Sequence, residues 1–260
     1  MIGTVLLAMW LTFSAFSHSS TVSKKDYRAP TSIHVMVALC DNENQGIIPV
    51  SKDLGNGQNP RLNLYWGAFY GVKTHFKKSA NWELIYSQKL DTLILERAVF
   101  KHKTKNAFLV ADAYDGRYIK QTTTDFVKAN AGLLKDQLTL DSVAINLYGN
   151  ADLTAYIGHD GLMEFGLDQV YKNKDGIERE CIILACISKT YFEPELKHCK
   201  TNPLVWTTGL MAPEAYTLHD AIDGFLANES EPEIRLRAAQ AYAKYQKCSL
   251  SAAKRLLVYE

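Results

Sequence analysis

The sequence predicts an α/β chain with a doubly wound, mostly parallel sheet and helices on both faces. Three observations carry that expectation. Apolar runs of strand length recur at residues 33–39, 107–111, 153–157, 182–185 and 203–207, as expected of strands buried on both faces. Segments with helical spacing of apolar residues alternate with them, which indicates βαβ winding. Polar or glycine-containing clusters close several of the runs, at 40–42, 112–116 and 158–161. At 260 residues the chain fits one large α/β domain.

Taken in order, residues 2–16 form an almost uncharged apolar run that ends in Ser17-His18-Ser19-Ser20-Thr21. A membrane span needs about 20 apolar residues, so this run is short for one. It reads as a secretory signal peptide over residues 1–20, although the usual Lys/Arg start is missing. On that reading the protein is exported, to a periplasm or the extracellular space, and residues 21–260 form a single domain. The alternative is an N-terminal helix on a cytoplasmic protein.

The strand at 33–39 ends in Cys40-Asp41-Asn42, and a long polar loop at 44–61 follows, rich in turn formers. Loops of that length inside compact domains are often functional. Leu64, Phe69, Val72 and Phe76 predict one face of an amphipathic helix. Residues 82–86 form a second strand, with a helical or extended segment through Phe100. The strand at 107–111 hands over to a turn beginning at Asp112. Thr122-Thr123-Thr124-Asp125 resembles a helix N-cap with an acid in the first turn, on a helix running towards Gly132.

The central pair of strands, 153–157 and 182–185, is joined by a short predicted helix at 165–171 and a turn at 173–176. Beyond the strand at 203–207, Ala215, Leu218, Ile222, Phe225 and Leu226 mark an apolar helical stripe. Ser230-Glu231-Pro232-Glu233 has capping-box spacing and opens the next helix.

The central pair carries the chemistry. The first strand runs into Gly158-His159-Asp160-Gly161 and the second into Cys186-Ile187-Ser188. With a right-handed crossover between neighbouring strands, both C-terminal ends fall on one sheet edge, where strands lie only about 5 Å apart. Open α/β sheets place ligands there. An imidazole and a thiol brought to one crevice are a general acid/base and a nucleophile. Each has a blander reading: a buried core cysteine and a loop histidine.

An apolar block before His159 and a second before Ala185-Cys186 resemble the signature of the caspase-like cysteine peptidases, which include legumains, gingipains, clostripain and CHAT-domain proteins. The run Ala185-Cys186-Ile187-Ser188-Lys189-Thr190-Tyr191-Phe192 is most similar to legumain-type members. Trp206-Thr207-Thr208-Gly209, with Glu214 behind it, is similar to the border of the substrate pocket. Residues 235–240 resemble the closing helix of CHAT domains. The family has glycine directly after the histidine; here Asp160 intervenes before Gly161.

The resemblance implies a cysteine endopeptidase acting on peptide or protein substrates, with His159 and Cys186 as catalytic dyad and no cofactor. Backbone N–H groups of Cys186 and Gly161 are the expected oxyanion donors. Asp41 and Asn42, Asp112, and Trp206, Thr207 and Thr208 are expected at the substrate-binding edge. With carboxylates and no Lys or Arg at those strand ends, cleavage after Arg or Lys is expected, with Asp41 the stronger determinant. The rival reading is a caspase-like scaffold or binding module without turnover, favoured by the altered His-Asp-Gly turn. An unrelated hydrolase lacks support, because the chain has no Gly-x-Ser-x-Gly elbow.

The remaining features narrow the choice. A net charge of +1 argues against nucleic-acid partners and against membrane association beyond the export signal. Five cysteines leave at least one thiol unpaired. Cys181 and Cys186, five residues apart on one strand, point to opposite faces and suit neither a mutual bridge nor a shared zinc ion. No metal is expected. Gly67, Gly71, Lys73 and Thr74 have the wrong spacing for a phosphate loop. His219-Asp220 reads as a solvated helix face, and His34, His75, His102 and His198 have no evident partner.

Overall fold

Strand-length apolar runs and amphipathic helices fold here as their alternation demands. The structure, a computed structural model, describes residues 29–260; the expected signal peptide over residues 1–20 lies outside them. The described strands are β1 (Thr31–Ala38), β2 (Trp82–Gln88), β3 (Ile94–His102), β4 (Ala107–Tyr114), β5 (Lys135–Leu140), β6 (Val143–Tyr148), β7 (Leu153–Gly158), β8 (Arg179–Leu184), β9 (Thr201–Thr207) and β10 (Leu257–Val258). The helices are α1 (Val72–Lys78), α2 (Ile119–Asn130), α3 (Ser188–Cys199), α4 (Ala215–Leu226), α5 (Glu231–Gln246) and α6 (Leu250–Leu256). Among the described residues, no helix is long and apolar enough to cross a membrane.

Eight strands form one sheet in the order β10-β9-β8-β7-β1-β4-β3-β2. Strands β4, β1, β7, β8 and β9 run parallel, and β2, β3 and β10 are antiparallel additions at the two sides. Ranked along the chain, the five parallel strands lie in the order 2-1-3-4-5. The winding direction therefore reverses between β1 and β7, and a crevice opens at their C-terminal ends. This is the α/β architecture expected from the sequence, and it is consistent with a caspase-like fold.

Side-chain alternation sorts each strand between two cores. Ile33, Val35 and Val37 of β1 join Val72, Phe76, Leu218, Ile222, Ala238 and Tyr242 from α1, α4 and α5 on one face. Met36 of β1 joins Phe126 and Val127 of α2, and Phe192 and Leu196 of α3, on the other. In β8 the same alternation sends Cys181 and Ile183 to the α2/α3 side, while Ile182 and Leu184 face α4 and α5. Cys186 follows the second set, so the two cysteines lie on opposite faces, and all five cysteines are free.

Several local expectations are corrected. The helix expected to carry Leu64, Phe69, Val72 and Phe76 is only α1, and Phe69 is exposed. Turns gathered on the Asn63 carbonyl, which accepts from the N–H groups of Trp66, Gly67 and Ala68, occupy the preceding segment. Helix α2 starts before the threonine run, whose hydroxyls donate back to the carbonyls of Tyr118, Ile119 and Lys120. The cap lies upstream, where the Asp115 side chain accepts from the Arg117 N–H.

Residues 165–171 form no helix, and the crossover reaches β8 without regular structure. The segment through Phe100 is strand β3. Hairpin β5–β6 was not expected from the sequence; at its turn Asp141 and Ser142 both adopt left-handed conformations. That pair of positive φ values is the geometry of a tight two-residue hairpin turn. The Ser230–Glu233 capping box is present at the start of α5.

Asp112 is the largest displacement from expectation. It lies inside β4, directly opposite Arg97 of β3, and is fully buried. Arg97 donates two 2.7 Å hydrogen bonds to its carboxylate, and Nε2 of His34 lies 3.0 Å away. Burial pushes the Asp112 pKa upward, but the Arg97 fork and His34 outweigh it and hold the carboxyl below its ordinary value.

Candidate active site

The last pair joining β7 to β8 is Ile157 with Leu184. His159 and Cys186 each stand two positions further on, at the same sheet edge beside the switch point. They line one cavity of about 270 Å³, together with Cys40 and Tyr65. Both expected dyad residues therefore face one cavity.

Local backbone chemistry sets both residues. Gly158, before the histidine, has φ +143, and a Cβ there would stand 2.5 Å from the Ala38 carbonyl oxygen. Only glycine fits that close approach of β7 to β1. The Tyr156 hydroxyl donates to the His159 carbonyl at 2.7 Å, fixing the turn from below. Cys186 lies in the three-residue link between β8 and α3. The residue after it, Ile187, has φ 51, a left-handed conformation rarely adopted by a β-branched residue. Such strain persists only where surrounding contacts hold it, and it concentrates at functional sites.

Those contacts are visible. The Ile187 N–H donates to the Gly209 carbonyl, and the Ser188 N–H to the Thr207 hydroxyl. The Thr207 hydroxyl also donates to the Ala185 carbonyl, and its N–H donates to the Ser188 hydroxyl oxygen. Thr207 thus clamps the turn that carries Cys186.

The imidazole is oriented by Glu164, which the sequence did not single out. Nε2 of His159 lies 2.5 Å from Oε1 of Glu164, and Nδ1 has no hydrogen-bond partner among the described residues. The same Glu164 oxygen accepts from the Gly46 N–H at 2.5 Å, tying the long 44–61 loop to the histidine. The arrangement leaves Nδ1 as the ring nitrogen without a hydrogen-bond partner among the described residues.

The thiol rests against Met211. Cys186 Sγ lies 3.6 Å from the Met211 carbonyl oxygen and accepts from the Met211 N–H at 3.4 Å. Burial raises the thiol pKa, the Met211 N–H works to lower it, and the nearby Asp160 carboxylate raises it further. Cys40, the second thiol at the cavity, is fully buried and pushed up to about 11, mainly by that burial. Cys186 is the more accessible of the two.

Asp160, between His159 and Gly161, is buried. Its Oδ1 accepts from the Leu162 N–H at 3.0 Å, and its Oδ2 has no partner among the described residues. Burial, reinforced by Glu164, pushes its pKa up to about 7.

The other expected site residues are placed elsewhere. Gly161 does not line the cavity; a Cβ there would meet Phe165 and Ile119, which belong to the α2/α3 core. Asp41 is buried beneath the loop and accepts from the N–H groups of Glu43 and Asn44 and from the side chains of Asn44 and Gln58. Asn42 brackets the N–H and carbonyl of Val50. Both therefore shape the loop. Trp206 lines a separate surface cleft beside Tyr259, and the Thr208 hydroxyl donates to the Arg255 carbonyl. With Asp112 held by Arg97 and Thr207 by its clamp, none of these seven residues lines the cavity.

Among the described residues, the one grouping with donor atoms placed for a metal ion is His219, Asp220 and Asp223 on α4, and none of the three lines this cavity. His219 is no solvated surface residue: its ring packs on Phe76 and bonds Ser79 and Asp220. Comparison with protein-family profiles, with curated proteins and with solved structures gives no match. The site is defined by its own geometry.

Proposed function

We propose that this cavity is the active site of a caspase-like cysteine endopeptidase. The observation carrying the proposal is the convergence of Cys186 and a Glu164-oriented His159 on one cavity at the C-terminal sheet edge. Because burial keeps the resting thiol protonated, deprotonation accompanies attack. Cys186 Sγ bonds to the scissile carbonyl carbon as its proton passes to Nδ1 of His159. Glu164 holds the imidazolium in place through Nε2. The tetrahedral oxyanion collapses, the C–N bond breaks, and His159 returns the proton to the departing amine. Water, deprotonated by the same imidazole, then hydrolyses the thioester and restores the thiol. The N–H of Cys186 is the donor available for the oxyanion at this cavity.

One observation favours the rival scaffold reading: the thiol is raised in pKa and occupied by the Met211 backbone. The two readings separate on treatment with a peptidyl electrophile, followed by mapping of the modified cysteine. An endopeptidase gives His159-dependent labelling of Cys186, and cleavage of a fluorogenic peptide library that Cys186→Ala abolishes. A scaffold gives neither.

A further inference from the structure

The cavity beside Cys186 contains no Asp, Glu, Lys or Arg side chain. Its walls are Ile47, Val50 and Met211, and its rim is Ile48, Met163 and Leu210. The rim residues are 86%, 37% and 68% exposed, unusual for three large apolar side chains converging on one opening. Isolated exposed apolar residues need no explanation, but a cluster around a cavity marks a binding surface.

The nearby carboxylates are all committed. Glu164 serves His159 and Gly46, Asp41 serves Asn44 and Gln58, and Asp160 is sealed from solvent. A guanidinium or ammonium entering this cavity would lose its water without gaining a counter-charge, and a carboxylate would fare no better. The volume of about 270 Å³ lies at the lower end for ligand pockets, which suits one side chain rather than an extended ligand.

We propose that the site selects an apolar side chain, of leucine, methionine or phenylalanine type, on the residue whose carbonyl Cys186 attacks. This rests on the endopeptidase reading for its chemistry, and it replaces the expected preference for Arg or Lys. Ile48, Val50 and Leu210 are its specificity-determining residues. The 44–61 loop supplies the first two, and the segment after β9 supplies the third. The loop is held to His159 through the Gly46–Glu164 bond, so filling the cavity presses on the same segment that orients the base.

The experiment uses a set of peptidyl electrophiles with one warhead and one backbone, differing only in the side chain before the warhead: Leu, Met, Phe, Gly, Arg, Lys or Asp. Labelling rates at Cys186 are read by mass spectrometry on the full chain, with iodoacetamide reporting intrinsic thiol reactivity. Burial of one aliphatic side chain predicts that the Leu and Met probes react about tenfold or more faster than the Gly, Arg and Asp probes. Ile48→Glu should narrow the Leu-to-Arg ratio, with each probe's rate divided by the same protein's iodoacetamide rate to remove any change in intrinsic thiol reactivity. An Arg, Lys or Asp probe as fast as Leu overturns the proposal, and so does a Leu probe no faster than Gly. Cleavage of a leucine-containing fluorogenic peptide is measured alongside. Selective labelling without cleavage removes the endopeptidase reading and leaves the apolar pocket standing.

Discussion

Glu164 Oε1 lies 2.5 Å from Nε2 of His159, so the imidazole is held at one nitrogen and open at the other. In triads, the residue that orients the histidine fixes its tautomer and stabilises the cation formed during turnover. Glu164→Gln keeps the shape but offers an amide where a full carboxylate stood. We expect kcat to fall by about 100-fold or more with KM little changed. The alkaline dependence of Cys186 labelling should shift as well. An unchanged kcat in a folded Glu164→Gln protein would leave Glu164 as a loop anchor alone.

The dyad should behave as a unit. Cys186→Ala and His159→Ala are each expected to abolish peptide cleavage, and the double variant should be no worse than either single one. Circular dichroism should show all three folded, because both residues lie beyond the last paired positions of β7 and β8.

Two glycines separate stability from activity. At Gly158 an added Cβ meets the rigid Ala38 carbonyl at 2.5 Å under a positive φ, so Gly158→Ala should cost about 1–3 kcal/mol in denaturant unfolding. At Gly46 the added Cβ meets the Glu164 carboxylate, the far end of a movable side chain. Gly46→Ala should therefore cost little stability and reduce kcat by displacing Glu164 from His159. Equal melting temperatures for the two variants would contradict this.

Asp160 predicts a pH dependence of definite sign. Its folded pKa of about 7 lies above the ordinary 3.8, so the folded state holds the proton more tightly than the unfolded chain. Between those values the unfolded state binds fewer protons, and stability falls as pH rises from about 4 to about 7. Above that range the full penalty of a buried, half-satisfied carboxylate applies. Asp160→Asn should stabilise the protein by about 2–4 kcal/mol at pH 8 and by almost nothing at pH 4. Removing the charge should also lower the Cys186 pKa and speed its alkylation at pH 8, because Asp160 contributes to raising it. Equal urea midpoints for the two proteins at pH 8 would refute the assignment.

Asp112 should behave as a structural residue. Asp112→Ala leaves Arg97 buried without its partner, and about 3–5 kcal/mol of stability should be lost. If the variant folds at low temperature, the ratio of leucine to arginine labelling at Cys186 should match the parent protein. A change in that ratio would place Asp112 in substrate recognition after all.

The parallel core and the placing of His159 and Cys186 at one cavity were legible in the sequence because each of the five parallel strands is marked by a short apolar run, with these two residues just past two of them. Alternation within β8 was enough to separate Cys181 from Cys186. What stayed hidden depends on partners distant in the chain. Glu164 gains its role from a histidine five residues earlier and a loop glycine 118 residues earlier. Asp112 looked like a turn acid because β4 continues past its apolar run, where Arg97 of the neighbouring strand makes a carboxylate tolerable. Hairpin β5–β6 turns on Asp141-Ser142 instead of the Asn-Gly or Asp-Gly that signals such turns. The substrate-edge residues were inferred from strand ends alone, whereas the cavity wall comes from loop residues such as Ile48 and Leu210 that belong to no element.

His159, Glu164, Cys186 and Gly46 all stand outside the ladder of paired strands, and this divides the molecule into two regimes of motion. Amide protons in β1, β4, β7 and β8, buried on both faces, should exchange with solvent only through global unfolding. Those of the 44–61 loop and of the turns carrying His159 and Cys186 should exchange through small local openings. On the proposed function, these side chains can then rearrange around a bound peptide many times within the lifetime of one folded molecule, while the sheet beneath them stays closed.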